Sequence, residues 1–236
     1  MAELVDTIPA RVLGVYAHPD DPEISCGGTL ARWTKGGSEV HVLICTRGEK
    51  GSPDPKQDPD KLAAVRTEEM AAAAEVLGLA GHRSLDNGDG ELENTAELRG
   101  HIVEVIRAVK PDVVVCPDPT AVFFGNSYYN HHDHRATGWA TLDAVAPAAG
   151  NPHYFPEAGP THHVAAVYLS GTMEPDAWVD ISDTLDVKVE ALFRHTSQLT
   201  ETGEFFRAFL RERAEEAGRA AGVRYAEGFR RLTLFT

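Results

Sequence analysis

One short segment of the chain brings an imidazole and two carboxylates together, because His18, Asp20 and Asp21 lie within four residues of each other. Neighbouring carboxylates repel each other unless a cation lies between them. Imidazole nitrogens and carboxylate oxygens are also the ligands that zinc and related divalent metals use in proteins. The segment therefore predicts a metal site, and the alternative is a polar turn that caps the next helix.

A second group of such side chains occurs in the second half of the chain, at His131, His132, Asp133 and His134. Three imidazoles and one carboxylate in consecutive positions offer both metal ligands and the partners that orient ligands. This second group favours the metal site over the polar turn, provided that the fold brings the two groups together.

Apolar runs directly precede both polar groups, since residues 12–17 and 112–117 each predict a buried strand. The rest of the chain alternates predicted strands with predicted helices, which is typical of an α/β fold with a mostly parallel sheet. Further strands are expected at residues 39–46, 82–85, 164–169 and 177–181, and helices are expected from about residue 26 and over 61–79, 95–110, 134–145, 183–198 and 204–219. Because ligands bind where the carboxyl ends of parallel strands meet, the two polar groups are expected to lie close together.

The composition bounds the class of protein. The 236-residue chain is 42% hydrophobic and 25% charged, which fits a single α/β domain with a large core. Its formal net charge of −14 argues against a nucleic acid or an anionic membrane as a partner. Cys26, Cys45 and Cys116 lie outside any CxxC motif and predict neither a disulfide framework nor a thiolate zinc site. Residues 1–10 lack the apolar segment of a signal peptide or membrane helix, so a cytoplasmic location is expected.

Several short motifs follow one another in an order that resembles an enzyme family. They are Ala17-His18-Pro19-Asp20-Asp21 with Gly27-Gly28-Thr29, Arg47-Gly48-Glu49, Asp89-Gly90-Glu91-Leu92, His131-x-Asp133-His134-Arg135 and His195-x-Ser197-Gln198. Together they resemble the LmbE-like/PIG-L family of zinc-dependent N-acetylglucosamine deacetylases, and they span about residues 11–235. The resemblance implies a Rossmann-like, three-layer α/β/α fold in one deacetylase domain over residues 1–236.

The resemblance also assigns roles to individual residues. It implies that His18, Asp21 and His134 bind the metal, which would be Zn²⁺ or another divalent ion such as Fe²⁺. Asp20 would be the general base that accepts a proton from water, since Asp21 cannot be both ligand and base. The substrate would be a small acyl-amino sugar, whose amide C–N bond is hydrolysed. A homo-oligomer is compatible with the resemblance, which leaves the oligomeric state open.

Other residues are expected to support catalysis or to bind substrate. His131 is expected to stabilise the oxyanion as an imidazolium, and Asp133 to orient an imidazole. The Tyr129 hydroxyl is expected to donate to the same oxyanion, with a buried, satisfied aromatic as the alternative. Arg66 and Asp89 are expected to contact the sugar or its conjugate. Their alternatives are a solvated helix charge for Arg66 and local turn chemistry for Asp89.

Several alternatives stay open at this point. His132 replaces the proline that is common in the family, and its imidazole could compete for the metal or bind substrate. A metal-dependent phosphoesterase would use similar residues but usually needs a second metal. A non-catalytic metal- or nucleotide-binding Rossmann module would explain a strand-end site, although Gly27-Gly28 lacks the G-x-G-x-x-G spacing. The long loops 47–60, 118–130 and 148–163 are expected to form the rim of the cleft and to set specificity.

Overall fold

An eight-stranded sheet runs through the centre of the computed structural model, which describes residues 3–199 and 203–234. Its strands are β1 (Glu3–Leu4), β2 (Arg11–Tyr16), β3 (Glu39–Thr46), β4 (Gly81–Asn87), β5 (Val113–Pro117), β8 (Ala166–Ser170), β9 (Ala177–Asp180) and β10 (Ala226–Thr233). A separate hairpin consists of β6 (Phe123–Phe124) and β7 (Tyr128–Tyr129). The family motifs were predicted to span about residues 11–235, and residue 235 lies outside the described residues.

The order of strands across the sheet is β1-β9-β10-β8-β5-β2-β3-β4. The pairs are parallel except those of β10, which runs antiparallel to both β8 and β9. From β2 the chain passes to β3 and β4 on one side and then crosses back to β5 on the other side of β2. Open α/β sheets bind ligands at such a reversal, outside the carboxyl ends of the strands. The predicted α/β fold with a mostly parallel sheet is confirmed.

Helices cover both faces of the sheet and so produce three layers. They are α1 (Asp21–Lys35), α2 (Pro59–Leu77), α3 (Ala96–Val109), α4 (His132–Asp143), α5 (Leu185–Leu192), α6 (Thr196–Leu199) and α7 (Gly203–Ala221), with a π-helical turn (Ala144–Ala149) and a 3-10 turn (Pro156–Ala158). One core joins α1, α2, α5 and α7 to Val12 and Tyr16 of β2, and the other joins α3 and α4 to Leu13 and Val15. β2 is therefore buried on both faces, as expected for a central parallel strand. Within the described ranges, no helix is long and apolar enough to cross a bilayer.

Some elements differ from those expected from the sequence pattern. A continuous helix over 183–198 is wrong, because α5 ends at Leu192 and α6 begins only at Thr196. His195, between these helices, is fully buried. α1 begins at Asp21, five residues before the expected position. The pattern also does not predict β10, which contains charged residues, or the hairpin β6–β7, whose strands have only two residues each.

The connection 148–163 is bound to α3 and to the start of β5. Buried Arg107 of α3 donates hydrogen bonds to six backbone carbonyl groups of this connection, those of Ala148, Ala149, Asn151, Tyr154, Phe155 and Gly159. His162 Nε2 lies 2.8 Å from the carbonyl oxygen of Pro111, which precedes β5. These contacts hold both ends of the connection near the amino end of β5, whereas Phe155, Glu157 and Ala158 line a groove with Ala96 and Glu97 at the start of α3. The place of the connection at the rim of the cleft stays a prediction.

Candidate metal centre and active site

The two polar groups follow the carboxyl ends of β2 and β5, where the order of strands in the sheet reverses. β2 ends at Tyr16, and the chain then reaches Asp20, the N-cap residue of α1, whose φ is 105°. This left-handed conformation is uncommon for a residue other than glycine, and such strain concentrates at functional sites. β5 ends at Pro117, and the following loop leads through the hairpin to His131, the N-cap residue of α4. Because β2 and β5 are parallel neighbours, both groups lie at one edge.

The three residues expected to bind metal meet in space. His18 Nδ1 lies 3.3 Å from His134 Nε2 and 3.4 Å from Asp21 Oδ2, and His134 Nε2 lies 3.1 Å from Asp21 Oδ1. Two atoms that are each about 2.1 Å from a tetrahedral zinc ion are separated by about 3.4 Å. The spacing of these side chains therefore fits one divalent ion bound between them.

The charges of this cluster also favour a cation. Burial lowers the pKa of His18, but Asp21 and the hydrogen bonds to Asp133 and Asp89 outweigh it and raise the pKa to about 12. Burial opposes the charge of Asp21, yet the imidazoles of His134 and His18 hold its pKa well below the usual range. The carboxylates thus stabilise positive charge at this position, which a metal ion would supply.

Each of the two histidines is oriented through its other ring nitrogen. His18 Nε2 lies 3.2 Å from both Asp133 Oδ2 and Asp89 Oδ1. His134 Nδ1 lies 3.0 Å from Asn130 Oδ1. Such partners fix the tautomer and ring orientation of a metal-binding histidine. Sequence reasoning missed Asn130, and its place four residues before His134 is the signal that could have found it.

Asp133 is held rigidly by the backbone of a neighbouring loop. The residue is fully buried, and its carboxylate accepts hydrogen bonds from the backbone N–H groups of Gly90, at 2.6 Å, and Leu92, at 3.2 Å. The imidazole that Asp133 faces is therefore that of His18. The same loop brings Asp89 to His18, because the Asp89 backbone N–H donates to the buried Glu49 carboxylate.

Arg66 of α2 contacts the residue expected to be the general base. Its Nη2 lies 3.2 Å from Asp20 Oδ2 and donates to the carbonyl of Pro19, and its Nη1 donates to the Gly48 carbonyl at 3.0 Å. Arg66 is only 3% exposed, so the alternative of a solvated helix charge is wrong. Burial raises the pKa of Asp20 to about 6, and Arg66 opposes this rise. Such a carboxyl group is ionised at neutral pH and can still take up a proton.

His131 and His132 have different surroundings at the start of α4. His131 Nδ1 accepts a hydrogen bond from the Asp133 backbone N–H at 3.3 Å, so the neutral ring holds its proton on Nε2. Burial and the charge of His18 lower the pKa of His131, which favours this neutral form over the expected imidazolium. The His132 side chain is 49% exposed, and its Nε2 lies 4.0 Å from Glu93 Oε1.

The side chains of the two tyrosines of β7 have different surroundings. Tyr129 is 56% exposed, and its hydroxyl accepts a hydrogen bond from Arg135 at 2.5 Å, so the alternative of a buried aromatic is wrong. The hydroxyl of Tyr128 interacts with the backbone of His131. Burial and the charge of Asp21 raise the pKa of the Tyr128 hydroxyl. Adjacent residues of a strand point to opposite faces, so sequence reasoning could have considered Tyr128 beside Tyr129.

Other combinations of metal-ligating atoms overlap with the expected set. Among the described residues, ligand atoms of His18, His131 and His134 lie within 4.8 Å of one another, and so do those of His18, Asp89 and Asp133. His132 belongs to neither combination. Both include His18, but Asp89 and Asp133 lie at its Nε2, whereas His134 and Asp21 lie at its Nδ1. The structure therefore contains a His/Asp group that can hold a divalent metal ion.

Residues 13–145 match the family model described as PIG-L: GlcNAc-PI de-N-acetylase, and this range contains every residue expected in the site. The chain belongs to the PIG-L family. This membership confirms the resemblance seen in the motifs. The PIG-L chain is thus a member of a deacetylase family. Its candidate metal group lies within the matched range, at the carboxyl edge of the sheet.

Relatives of this PIG-L chain include enzymes named as deacetylases. Diacetylchitobiose deacetylase of Thermococcus kodakarensis is 39% identical over 225 residues, which cover 93% of this chain and 82% of the relative. The 1D-myo-inositol 2-acetamido-2-deoxy-α-D-glucopyranoside deacetylase of Rhodococcus jostii is 31% identical over 247 residues, covering 80% and 82%. The solved structure of N,N'-diacetylchitobiose deacetylase from Pyrococcus horikoshii superposes with a TM-score of 0.87 at 32% identity, covering 95% and 84%.

Proposed function

We propose that this protein is a zinc-dependent N-deacetylase that hydrolyses the N-acetyl group of an N-acetylglucosamine-type conjugate, within a domain that spans residues 1–236. The observation that supports it most is the spacing of His18, Asp21 and His134 around one tetrahedral position, with Asp20 beside them. Relatives named as deacetylases of acetylated amino sugars support the substrate class.

When bound, the metal supplies Lewis acidity, which polarises the amide carbonyl and makes water more acidic. Asp20 accepts the proton of the attacking water. Its Oδ2 is paired with Arg66, which leaves Oδ1 for that proton. Asp20 then gives the proton to the amide nitrogen as the C–N bond breaks. One water molecule is consumed, and acetate and a free amine are released.

The remaining residues stabilise charge and hold the substrate. His131 donates its Nε2–H to the oxyanion, for which the neutral imidazole is sufficient. Asp133 keeps the His18 ring in place. Arg66, Asp89 and Tyr129 bind the sugar or its conjugate, and Arg66 also positions Asp20.

We also propose that the enzyme acts on small molecules in the cytoplasm, alone or as a homo-oligomer. The three cysteines are unpaired and buried, which is usual in a reducing compartment.

The test compares two adjacent aspartates, each changed to its uncharged isostere. Asp20→Asn should retain metal while kcat falls about 10²- to 10⁴-fold, because the amide cannot accept the proton. Asp21→Asn should instead weaken metal binding. Metal content and release of free amine from a panel of N-acetylglucosamine conjugates are measured on the same samples.

Two outcomes would contradict this assignment: loss of metal in Asp20→Asn, or near-wild-type turnover in that variant. The metal content of the wild-type protein separates the alternatives, since a phosphoesterase would hold two ions and a nucleotide-binding module would hold none.

A further inference from the structure

One motif of the sequence, His195-x-Ser197-Gln198, lies at the α5–α6 junction and has no part in the chemistry proposed above. Its last residues belong to α6, a helix of only four residues. So short a helix is unstable by itself and depends on contacts with other elements. The partners of this segment therefore indicate what the motif holds in place.

Glu69 of α2 anchors α6. Its carboxylate accepts hydrogen bonds from the Thr196 hydroxyl at 2.8 Å and from the backbone N–H and the hydroxyl of Ser197, each at 2.7 Å. Glu69 is only 7% exposed, and a buried carboxylate needs such donors. Hydrogen bonds to an ionised carboxylate are also stronger than those between neutral groups. The start of α6 is thus fixed to α2, three residues after Arg66.

The same anchor places Gln198 beside the guanidinium of Arg66, over Gly51 in the loop after β3. A Cβ atom added to Gly51 would lie 2.6 Å from Arg66 Nη1 and 2.8 Å from Gln198 Oε1. Both distances are shorter than van der Waals contact, so the two side chains pack together against a position that has room only for glycine. In this arrangement Arg66 Nη2 lies 3.2 Å from Asp20 Oδ2.

His195 connects the motif to α1 as well. The residue is fully buried, and its Nε2 lies 3.4 Å from Glu23 Oε2. Burial lowers the pKa of this imidazole, but Glu23, Asp20 and Glu69 outweigh burial and raise it, so all three carboxylates lie near the ring. The motif therefore lies between the helix that Asp20 caps and the helix that carries Arg66.

We propose that Glu69 is a positioning residue for the general base, because it anchors α6 and thereby keeps Gln198 beside Arg66. Arg66 in turn holds Asp20 Oδ2, so that Oδ1 accepts the proton of the attacking water. The inference rests on the proposed function, which makes Asp20 the base. It gives the motif a role in orienting that base, without contact with the substrate.

Removal of the anchor tests the proposal. Glu69→Ala should lower kcat about 10- to 100-fold, as expected for a displaced catalytic group, while metal content stays unchanged and KM stays within about twofold of the wild type. Glu69→Gln retains an acceptor oxygen and the size of the side chain, so its kcat should stay within about twofold of the wild type.

Asp180→Ala is the matched control. The Asp180 carboxylate likewise accepts the backbone N–H and the hydroxyl of one residue, Ser182, but it lies on β9, four strands away from β2. This variant should keep the kcat of the wild type.

Gly51→Ala disturbs the same contact from the other side and leaves the anchor of α6 intact. Its Cβ atom would displace the guanidinium, so kcat should fall by about tenfold without loss of metal. Glu69→Ala and Gly51→Ala are then each combined with Asp20→Asn. If both act through Asp20, neither should lower kcat further in that background, whereas general damage to the structure would lower it in both backgrounds.

The Nε–H group of Arg66 reports on the guanidinium without any turnover. It is buried and has no hydrogen-bond partner within the part of the chain that the structure describes. Its ¹H–¹⁵N NMR resonance, assigned through its absence in Arg66→Lys, should shift in Glu69→Ala and Gly51→Ala and stay unchanged in Asp180→Ala.

An unchanged Arg66 resonance in Glu69→Ala and Gly51→Ala would overturn the proposal, whatever the enzyme hydrolyses. A loss of kcat that persists in the Asp20→Asn background would also overturn it. If Glu69→Ala does not fold, Gly51→Ala gives the same two measurements. Shifted resonances in a protein that releases no amine from any N-acetylglucosamine conjugate would refute the proposed function and still support the anchor of Arg66.

Discussion

Adjacent carboxylates of this site differ in their surroundings, although they are chemically identical. Asp21 Oδ2 accepts the backbone N–H of His18 at 2.7 Å, whereas Asp20 has a left-handed backbone and contacts Arg66. The sequence could identify both carboxylates because their spacing from His18 is local. It could not identify the imidazole that Asp133 faces, because that contact depends on how distant loops fold together.

Asp133→Asn should weaken metal binding about 10- to 100-fold, because an amide cannot accept hydrogen bonds on both sides as the carboxylate does from Gly90, Leu92 and His18. Competition with a chromophoric chelator measures the affinity. Asp118→Asn is the matched control, since Asp118 is also a buried aspartate after β5 but its carboxylate bonds to Thr120. Equal affinities of the two variants would contradict the role of Asp133.

His132→Pro should leave metal affinity and kcat unchanged. His132 is the first residue of α4, where proline is favoured, and the preceding residue has φ −56° and ψ 143°, which a following proline accepts. The variant should unfold at an equal or slightly higher urea concentration, with a gain of up to about 1 kcal/mol. A loss of metal would instead identify His132 as a ligand.

At the scale of elements, α1 depends on a residue from the far end of the chain. Its two segments join at Cys26, whose φ and ψ are −145° and 19°. Glu227 of β10 accepts the backbone N–H groups of Gly28, at 3.1 Å, and Thr29, at 2.7 Å, and thereby caps the second segment. Lys188 of α5 neutralises this buried carboxylate.

Glu227→Ala should lower the free energy of unfolding by about 3–5 kcal/mol, because it leaves the buried Lys188 charge and two backbone N–H groups without partners. Lys188→Met should cost less, since Glu227 keeps both backbone donors. Urea denaturation of both variants measures the difference. An equal cost would mean that the ion pair, and not the cap, stabilises this region.

The elements that escaped prediction share a physical cause. β10 contains Glu227, Arg230 and Arg231, whose charges hide a strand that is held by pairing with β8 and β9. The break between α5 and α6 contains His195. Histidine is a polar residue, so the sequence pattern suggests a position on the surface. Its actual position is set by Glu23 on α1, which no local pattern reveals.

At the scale of the molecule, one buried pair joins the metal-bearing helix to the α5–α6 junction. Glu23 and His195 are both fully buried, and His195 Nε2 lies 3.4 Å from Glu23 Oε2. Apart from this contact with each other, the Glu23 carboxylate and the His195 ring nitrogens have no hydrogen-bond partner among the described residues. Burial lowers the pKa of His195, but Glu23 outweighs this effect and raises it above the usual value.

Because the folded-state pKa of His195 is raised, its contribution to stability is complete below the unfolded pKa of about 6.5 and is lost as pH rises through the folded value. His195→Gln should therefore destabilise the protein more at pH 6 than at pH 9. Urea denaturation at both pH values measures this, with exposed His153→Gln as the control. A loss of stability that does not change with pH would contradict the charged pair.

Strand and helix alternation was enough to predict the α/β class and the edge that holds the site. The periodicity of residues 12–17 and 112–117 indicates buried strands, and parallel pairing then brings His18 and His134 together. The edge of the sheet beyond β8 was not predictable in this way, because its order depends on an antiparallel strand from the end of the chain.

This topology has a consequence for protein synthesis. β10 lies between β8 and β9, so a ribosome that has made residues 1–225 has produced both of those strands without the one that separates and pairs them. Their open edges and the apolar surface beneath α7 remain available for aggregation during that interval. The first helix also lacks its Glu227 cap until the same moment. The nascent chain should therefore depend on chaperones until its final strand emerges.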